Sequence, residues 1–398
     1  MGDNDAQGNG RAAPQHTTMT EAATTVTTTT LTTNTSTANL SADSTTATSA
    51  TATATTATIR GIRSVHGGLL HAIDSSGRAH LSRECHAGRL VRLAPSVAVA
   101  TDTWESTAWR DRRRARCAAH ALANSDLVLT GISAARVLGM PVLDDPDADT
   151  GELVELGRPG RSRAINQDGR RIIRPLPRHA EWTSLGGIKV CTDISVIHQL
   201  CRQVGPGQAL AAADHVVRER GGRGSLARGA ARLIESRAPG AARTAEVVML
   251  ASDQSESAAE SLTKWILHGT GIDGWLQQVW IVGPGSMPIG RVDFFHPGLE
   301  MVVQFHGAMK YDGRYGDGDA ISTYENMQVR QLINAGVDVV QLTWPMVVSD
   351  EARRMVLERA EKRRALLAAA GSQFGGEHFR DHEKLPDRVR ANFRSRRR

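Results

Sequence analysis

The sequence predicts a mixed α/β chain, α+β overall, and three observations lead there. Helix-like and strand-like patterns alternate through the central part of the chain. A helical stretch followed by a short hairpin opens it, at about residues 67–99. Its last third reads in the order α-β-β-β-α-β-α.

At 398 residues the chain is long enough for two or three domains of roughly 150 residues each. No apolar run approaches the roughly 20 residues that a bilayer-spanning helix needs, which excludes a transmembrane protein. The N-terminus has no basic stretch leading into an apolar one, so no secretory signal is expected. Cys85, Cys117, Cys191 and Cys201 form no C-x-x-C pair and no disulfide framework, as expected of a cytoplasmic protein. The net charge is +6, and only five of the 48 basic residues are lysine. That balance is compatible with a polyanionic partner, because arginines displace counterions from phosphate. A solvated basic surface explains it equally well.

Residues 17–58 contain 21 threonines in 42 positions, with no aromatic residue and little charge. Such a segment buries too little apolar surface to offset its ordering entropy, so residues 1–58 are expected to be disordered. Residues 371–398 are polar, end in Arg394, Arg396, Arg397 and Arg398, and are expected to be a basic tail. Three regions lie between these ends: 59–104, 105–245 and 246–370.

In the first region, Leu69, Leu70 and Ile73, then Ala79 and Leu81, give helical turns around an Asp74–Gly77 turn. Gly88 stops them, and Arg89–Leu93 and Val97–Val99 form a hairpin interrupted at Pro95. This is the pattern of a small winged helix, in which Arg89 and Arg92 on the hairpin would touch a nucleic-acid backbone. In the middle α/β region two helices are expected over 107–140, the first with Arg110, Arg112, Arg113, Arg114 and Arg116. Such a run either lines phosphates or is a solvated helix face. The acidic stretch Asp144–Asp147 reads as a linker. Strands follow near 152–156, 171–174 and 187–191, then helices at 194–203 and 207–219. The last helix contains Asp214-His215, to which no chemistry is assigned.

The C-terminal region holds the candidate chemistry. A helix over 257–268 carries Glu260, and strands are expected at 277–282, 290–295 and 299–307. A helix at about 320–335, a strand at 337–342 and a final helix at 350–369 complete it. Asp293 stands on one strand, and Gln304 and His306 on the next face the same side because they are two apart. Glu260, Asp293 and Gln304 would be the ligand set for Mg²⁺, which takes oxygen donors. Lys310 would serve a phosphate. Arg291, Lys310 and Arg314 are candidate nucleic-acid contacts, with Tyr311, Tyr315 and Tyr324 as possible base-stacking groups. Each has a plainer reading. Glu260 could be an exposed helical glutamate, Asp293 an ion-paired strand end, and Gln304 with His306 a satisfied polar pair.

The run Ser255–Ser261, Arg291-Val292-Asp293-Phe294, Gln304-Phe305-His306-Gly307 and Lys310-Tyr311 resembles the Vsr-like endonuclease domain of the PD-(D/E)XK superfamily. Leu81–Val99 and Ser133-Ala134-Ala135 with Leu138-Gly139 are similar to AbiEi-type antitoxins. The first resemblance implies a restriction-endonuclease-like αβββαβ domain with a Mg²⁺-dependent centre at Glu260, Asp293, Gln304, His306 and Lys310. The second implies a winged helix, DNA as a partner and a cognate toxin. Where the endonuclease family has Glu-x-Asp-Gly, this chain has Gln304-Phe305-His306-Gly307, and of the family's charged helix cluster it keeps only Glu325. A neutral amide and an imidazole bring no charge to Mg²⁺. The expectation is a DNA-associated antitoxin or defence protein with a degraded nuclease centre. An active Mg²⁺-dependent endonuclease and a protein-interaction scaffold are the alternatives.

Overall fold

The computed structural model describes residues 62–65, 68–143, 153–160, 166–167, 171–306 and 318–395. The expectations for 1–58 and for Asp144–Asp147 lie outside these residues. Strands β1 (Ile62–Val65) and β2 (Leu69–Ala72) pair antiparallel, and helix α1 (Ser75–His86) follows. Asp74 starts that helix. Its Oδ1 accepts the Gly77 N–H at 2.7 Å, which satisfies one of the first-turn donors. The Asp74–Gly77 turn is therefore a helix entry. Leu69 and Leu70, expected in helical turns, lie in a strand because β2 finds a second neighbour, with Leu70 opposite Ala98.

The expected hairpin is present as β3 (Leu90–Ala94) and β4 (Val97–Ala100), giving an antiparallel sheet in the order β1-β2-β4-β3. Leu81 of α1 packs on Ala72 and Ala98 on one face. Leu69, Leu93, Val97 and Val99 turn the other way, into the core of the middle region. That core therefore runs across the 104/105 boundary.

The middle region continues with α2 (Thr101–Ser106), α3 (Trp109–Leu122), β5 (Val128–Leu129) and α4 (Gly131–Val137). Strands β6 (Val154–Arg158), β7 (Asn166–Gln167), β8 (Arg171–Pro175), β9 (Trp182–Leu185) and β10 (Ile188–Cys191) complete a sheet in the order β7-β8-β6-β5-β10-β9. Helices α5 (Asp193–Gln203), α6 (Pro206–Arg220), α7 (Arg223–Glu235) and α8 (Ala241–Leu250) follow, α8 spanning the 245/246 boundary. Gly131 has φ +52, a left-handed conformation that favours glycine at the entry to α4.

Several arginines on α3 also make contacts within the protein. Arg112 donates to the carbonyls of Trp104 and Glu105 at 2.9 and 2.7 Å, and Arg114 to that of Val137 at 2.9 Å. Arg112 and Arg116 stand over the Trp104 ring, and Arg110 and Arg113 over that of Trp109, all between 4.8 and 5.4 Å from the ring centre. These are cation–π contacts: those to Trp104 fasten α3 to α2, and those to Trp109 lie within α3 itself.

The C-terminal region comprises α9 (Ala258–Gly269), β11 (Leu276–Gly283), β12 (Met287–His296), β13 (Met301–Phe305), α10 (Gly318–Asn334) and β14 (Asp338–Leu342). It ends in α11 (Trp344–Val347), α12 (Glu351–Ala370), β15 (Glu377–Phe379) and α13 (Asp387–Ser395). The sheet order is β14-β13-β12-β11-β15, with β13 and β14 parallel and the other pairs antiparallel. A parallel pair needs a crossover, and α10 supplies it. Leu262 and Leu267 of α9 with Val356 and Ala360 of α12 pack on Met301 and Val303. Leu332 of α10 packs on Val302 from the opposite side. The result is three layers.

Of the expected tail at 371–398, the described residues 371–395 are part of this domain. Glu300, at φ +45 between β12 and β13, is buried and accepts Arg363 at 2.6 Å, the amides of Gln373 and Phe374 at 2.9 and 3.0 Å, and the Ser372 hydroxyl. Burial alone would raise its carboxyl, but these donors and the Arg363 charge outweigh it and hold the pKa below the ordinary range. The chain so captured adds β15 to β11, and Leu385 and Val389 pack on Val282.

Removing one partner of a buried pair leaves an uncompensated charge, so Arg363→Met should cost about 3–5 kcal/mol in urea unfolding. A loss under 1 kcal/mol would mean that Glu300 does not depend on it. His198 makes a second prediction. It is 1% exposed, with Nδ1 at 2.8 Å from Thr244 Oγ1, and its pKa is pushed down to about 4 by burial, helped by His179 and Arg202. Its contribution to stability is present above the unfolded value near 6.5 and is lost as pH falls toward 4, by about 3 kcal/mol at most. Melting curves of wild type and His198→Gln between pH 7.5 and 4.5 should converge as the pH falls. Parallel curves would remove His198 as the cause.

Candidate functional site

Ser257 caps α9. Its Oγ accepts the Glu260 N–H at 3.2 Å, and Glu260 reaches back, an S-x-x-E capping arrangement. Oε1 of Glu260 accepts the Ser257 hydroxyl at 3.0 Å, while Oε2 accepts the Glu256 amide at 2.9 Å and Gln278 Nε2 at 2.7 Å. The carboxylate is buried, not exposed as the plainer reading had it. Burial raises its pKa, opposed in turn by the Glu256 amide, the Ser257 hydroxyl and Gln278.

Gln278 has φ +55, rare for a side chain larger than glycine. It falls opposite Asp293, between the pairs Gln277–Phe294 and Val279–Val292. Strand alternation fails at this point. Val292 and Phe294 are two apart yet enter different cores, on opposite faces of the sheet. Asp293 sits at the break, and its Oδ2 accepts the Phe305 N–H of the neighbouring strand at 2.9 Å.

Beyond it, Gln304 and His306 both meet α10. Gln304 Nε2 lies 3.4 Å from Gln328 Oε1, and Gln328 Nε2 donates to the Arg291 carbonyl at 3.1 Å. His306 Nδ1 is 3.0 Å from Glu325 Oε2, and its backbone N–H donates to Leu342 at 2.7 Å. The strand therefore presents a partnered amide and a partnered imidazole to residues three apart on one helix. This matches the satisfied polar pair among the sequence readings, with Gln328 and Glu325 as the partners.

The structure brings Asp293, Gln304 and His306 to one end of the sheet and Glu260 to the adjoining helix start. Among the described residues no group of three or more His, Cys, Asp and Glu is placed to hold a metal ion. For Glu260 to ligate Mg²⁺ beside Asp293 and Gln304 it would have to give up hydrogen bonds it makes now, and Gln304 would bring no charge. The described residues do not fit a tightly held divalent cation.

The expected nucleic-acid contacts are largely engaged. Arg291 pairs with Glu256 at 2.6 Å, Arg89 is held bidentate by Glu84 at 2.6 and 2.8 Å, and Arg92 donates to the Pro95 carbonyl at 2.8 Å. Arg89 and Glu84 lie at the surface, where such a pair is weak and open to exchange for phosphate. Lys310, Tyr311, Arg314 and Tyr315 lie outside the described residues, as does the Tyr324 side chain.

Sequence reasoning missed Gln278 and Gln328, whose roles depend on which strand and helix they face. It also left Asp214 without a function. Buried Asp214 accepts Lys264 Nζ at 2.8 Å, Ser261 Oγ at 2.7 Å and the Ser252 amide at 2.8 Å, joining α6 to α9. Burial lowers the Lys264 pKa although Asp214 pulls it up. Fifty residues separate the two partners, so no local pattern announces the pair.

Comparison of the chain with protein-family models, curated proteins and solved structures returned no match.

The cap predicts the behaviour of Glu260→Gln. An amide oxygen in place of Oε2 accepts both of that atom's donors, and an amide nitrogen in place of Oε1 donates to Ser257 Oγ. With its pKa raised, Glu260 favours folding most below about pH 4.5, and that contribution is lost as pH rises through the folded value. Glu260→Gln should therefore be at least as stable as wild type at pH 8. A loss above about 1 kcal/mol in chemical unfolding there would show that the negative charge itself is needed.

Proposed function

We propose that this chain is a DNA-associated protein of antitoxin or defence type. Its C-terminal domain is a restriction-endonuclease-like fold that binds nucleic acid as a degraded nuclease. The observation that carries the reading is the pair Gln304 and His306. They stand where the resembling family has two acids, and each is engaged by a side chain of α10. A centre built that way is satisfied without a metal ion. Further support comes from the element order, from Asp293 on the strand next to Gln304, and from Glu260 at the start of the preceding helix. The helix and hairpin at residues 75–100, with Arg89 and Arg92 at the surface, fit a winged-helix contact to a nucleic-acid backbone. A cognate toxin is the protein partner that the second resemblance implies.

The test uses the full-length chain with labelled single- and double-stranded DNA, in Mg²⁺, Mn²⁺ or EDTA. The expected outcome is a shifted band without cleavage, weakening as salt rises, and unchanged in Asp293→Ala. Metal-dependent cutting abolished in Asp293→Ala would establish the active-endonuclease alternative. Neither cutting nor binding would leave a scaffold for a protein partner. Restoring Gln304→Glu with His306→Asp should create a metal-dependent increase in melting temperature that the parent lacks.

A further inference from the structure

On the side of α9 away from its cap, a cavity of about 350 Å³ opens between the 250–254 segment, α9, the start of β11 and the C-terminal strap. That volume lies at the lower end of the range for small-molecule pockets. Its floor is apolar, from Leu267, Ile272 and Phe294. Above the floor the lining holds two cationic side chains, Lys264 and Arg380, among Ser252, Gln254 and Gln277. Lys264 spends two ammonium protons on Asp214 and Ser252, which leaves the third without a partner among the described residues. Trp275, part of the wall, has its indole N–H buried with no acceptor. Arg380, contributed by the segment that the sequence marks as a tail, lies exposed at the rim and makes no ion pair among the described residues.

The third ammonium proton of Lys264 and the uncommitted guanidinium of Arg380 line the same cavity, and both suit a carboxylate. The cavity also has one uncommitted acid at its edge, Asp273. That charge disfavours a ligand bearing two negative charges. We propose that this cavity binds a small monocarboxylate with an apolar body, aromatic or short acyl. The head group lies toward Arg380 and Lys264, and the body lies on Leu267, Ile272 and Phe294. The proposal is independent of the nucleic-acid reading, since none of these residues belongs to the group around Asp293.

Phenylacetate and hexanoate are the probes, titrated into the full-length protein and followed by calorimetry and tryptophan fluorescence. Phenylacetamide and inorganic phosphate serve as controls. For ligands of this size the expected dissociation constant is on the order of a millimolar or below. Arg380→Ala, a surface change that leaves the fold intact, should weaken binding by roughly tenfold. Circular dichroism and the melting temperature of Arg380→Ala should stay near wild type, so that lost binding is not lost folding. No saturable binding of either acid would overturn the proposal. So would equal affinity for phenylacetamide, or equal affinity in Arg380→Ala.

Discussion

The buried carboxylate of Glu300 is where the C-terminal domain is tied together. One side chain, held at positive φ, collects a guanidinium from α12, two backbone amides and a hydroxyl. Its own carbonyl accepts the Asp338 N–H at 2.9 Å, which sets where β14 begins beside β13. A single residue therefore reaches both edges of the sheet: its carbonyl meets the start of β14, and its carboxylate holds the segment that becomes β15. The strap in turn brings His382 onto Trp280 at 4.9 Å, and the Trp280 ring has Arg291 above it. A continuous set of contacts thus leads from the strap to the strand that carries Asp293.

Around Asp293 the structure depends on pairing neutral groups. Two acids at positions 304 and 306, close to Asp293, would repel one another unless a cation lay between them. An amide and an imidazole need none, because each can be satisfied by hydrogen bonds from the same helix. With Gln328 in place at α10, the Gln304 amide has a partner and the Arg291 carbonyl gains a donor. Gly290 has no side chain to interfere, since a Cβ there would come within 2.3 Å of Gln328 Nε2. The neutral arrangement is therefore a packed one, held by Gln328 and Glu325 of α10.

Much of the C-terminal fold was legible because its strands are apolar and its helix starts are marked. Ser257 and Glu260 spell out a cap, and Met301, Val302 and Val303 could only be a strand buried on both faces. The first region was harder to read. Leu69 and Leu70 fit a helix or a strand, and β4, a partner distant in sequence, decided for the strand. β15 was illegible, as three residues with two polar ones have no strand signal until Glu300 captures the preceding amides. At the site, period-two reasoning placed Gln304 and His306 correctly but could not place Asp293, where alternation breaks opposite Gln278. Helix periodicity likewise could not distinguish an exposed Glu260 from a buried one. The difference lies in what β11 brings over it.

The arginines of α3 carry one more consequence. Arg112 and Arg114 are held by backbone carbonyls, which are neutral, and Arg110 rests on an indole face. None of these contacts cancels a charge. The long side chains have already surrendered their rotational freedom during folding, while their field still reaches into solvent over about a Debye length. A polyanion approaching this helix would meet a preorganised lattice of charge. Its attraction would come with little of the entropic penalty that flexible basic side chains incur when they are ordered on binding.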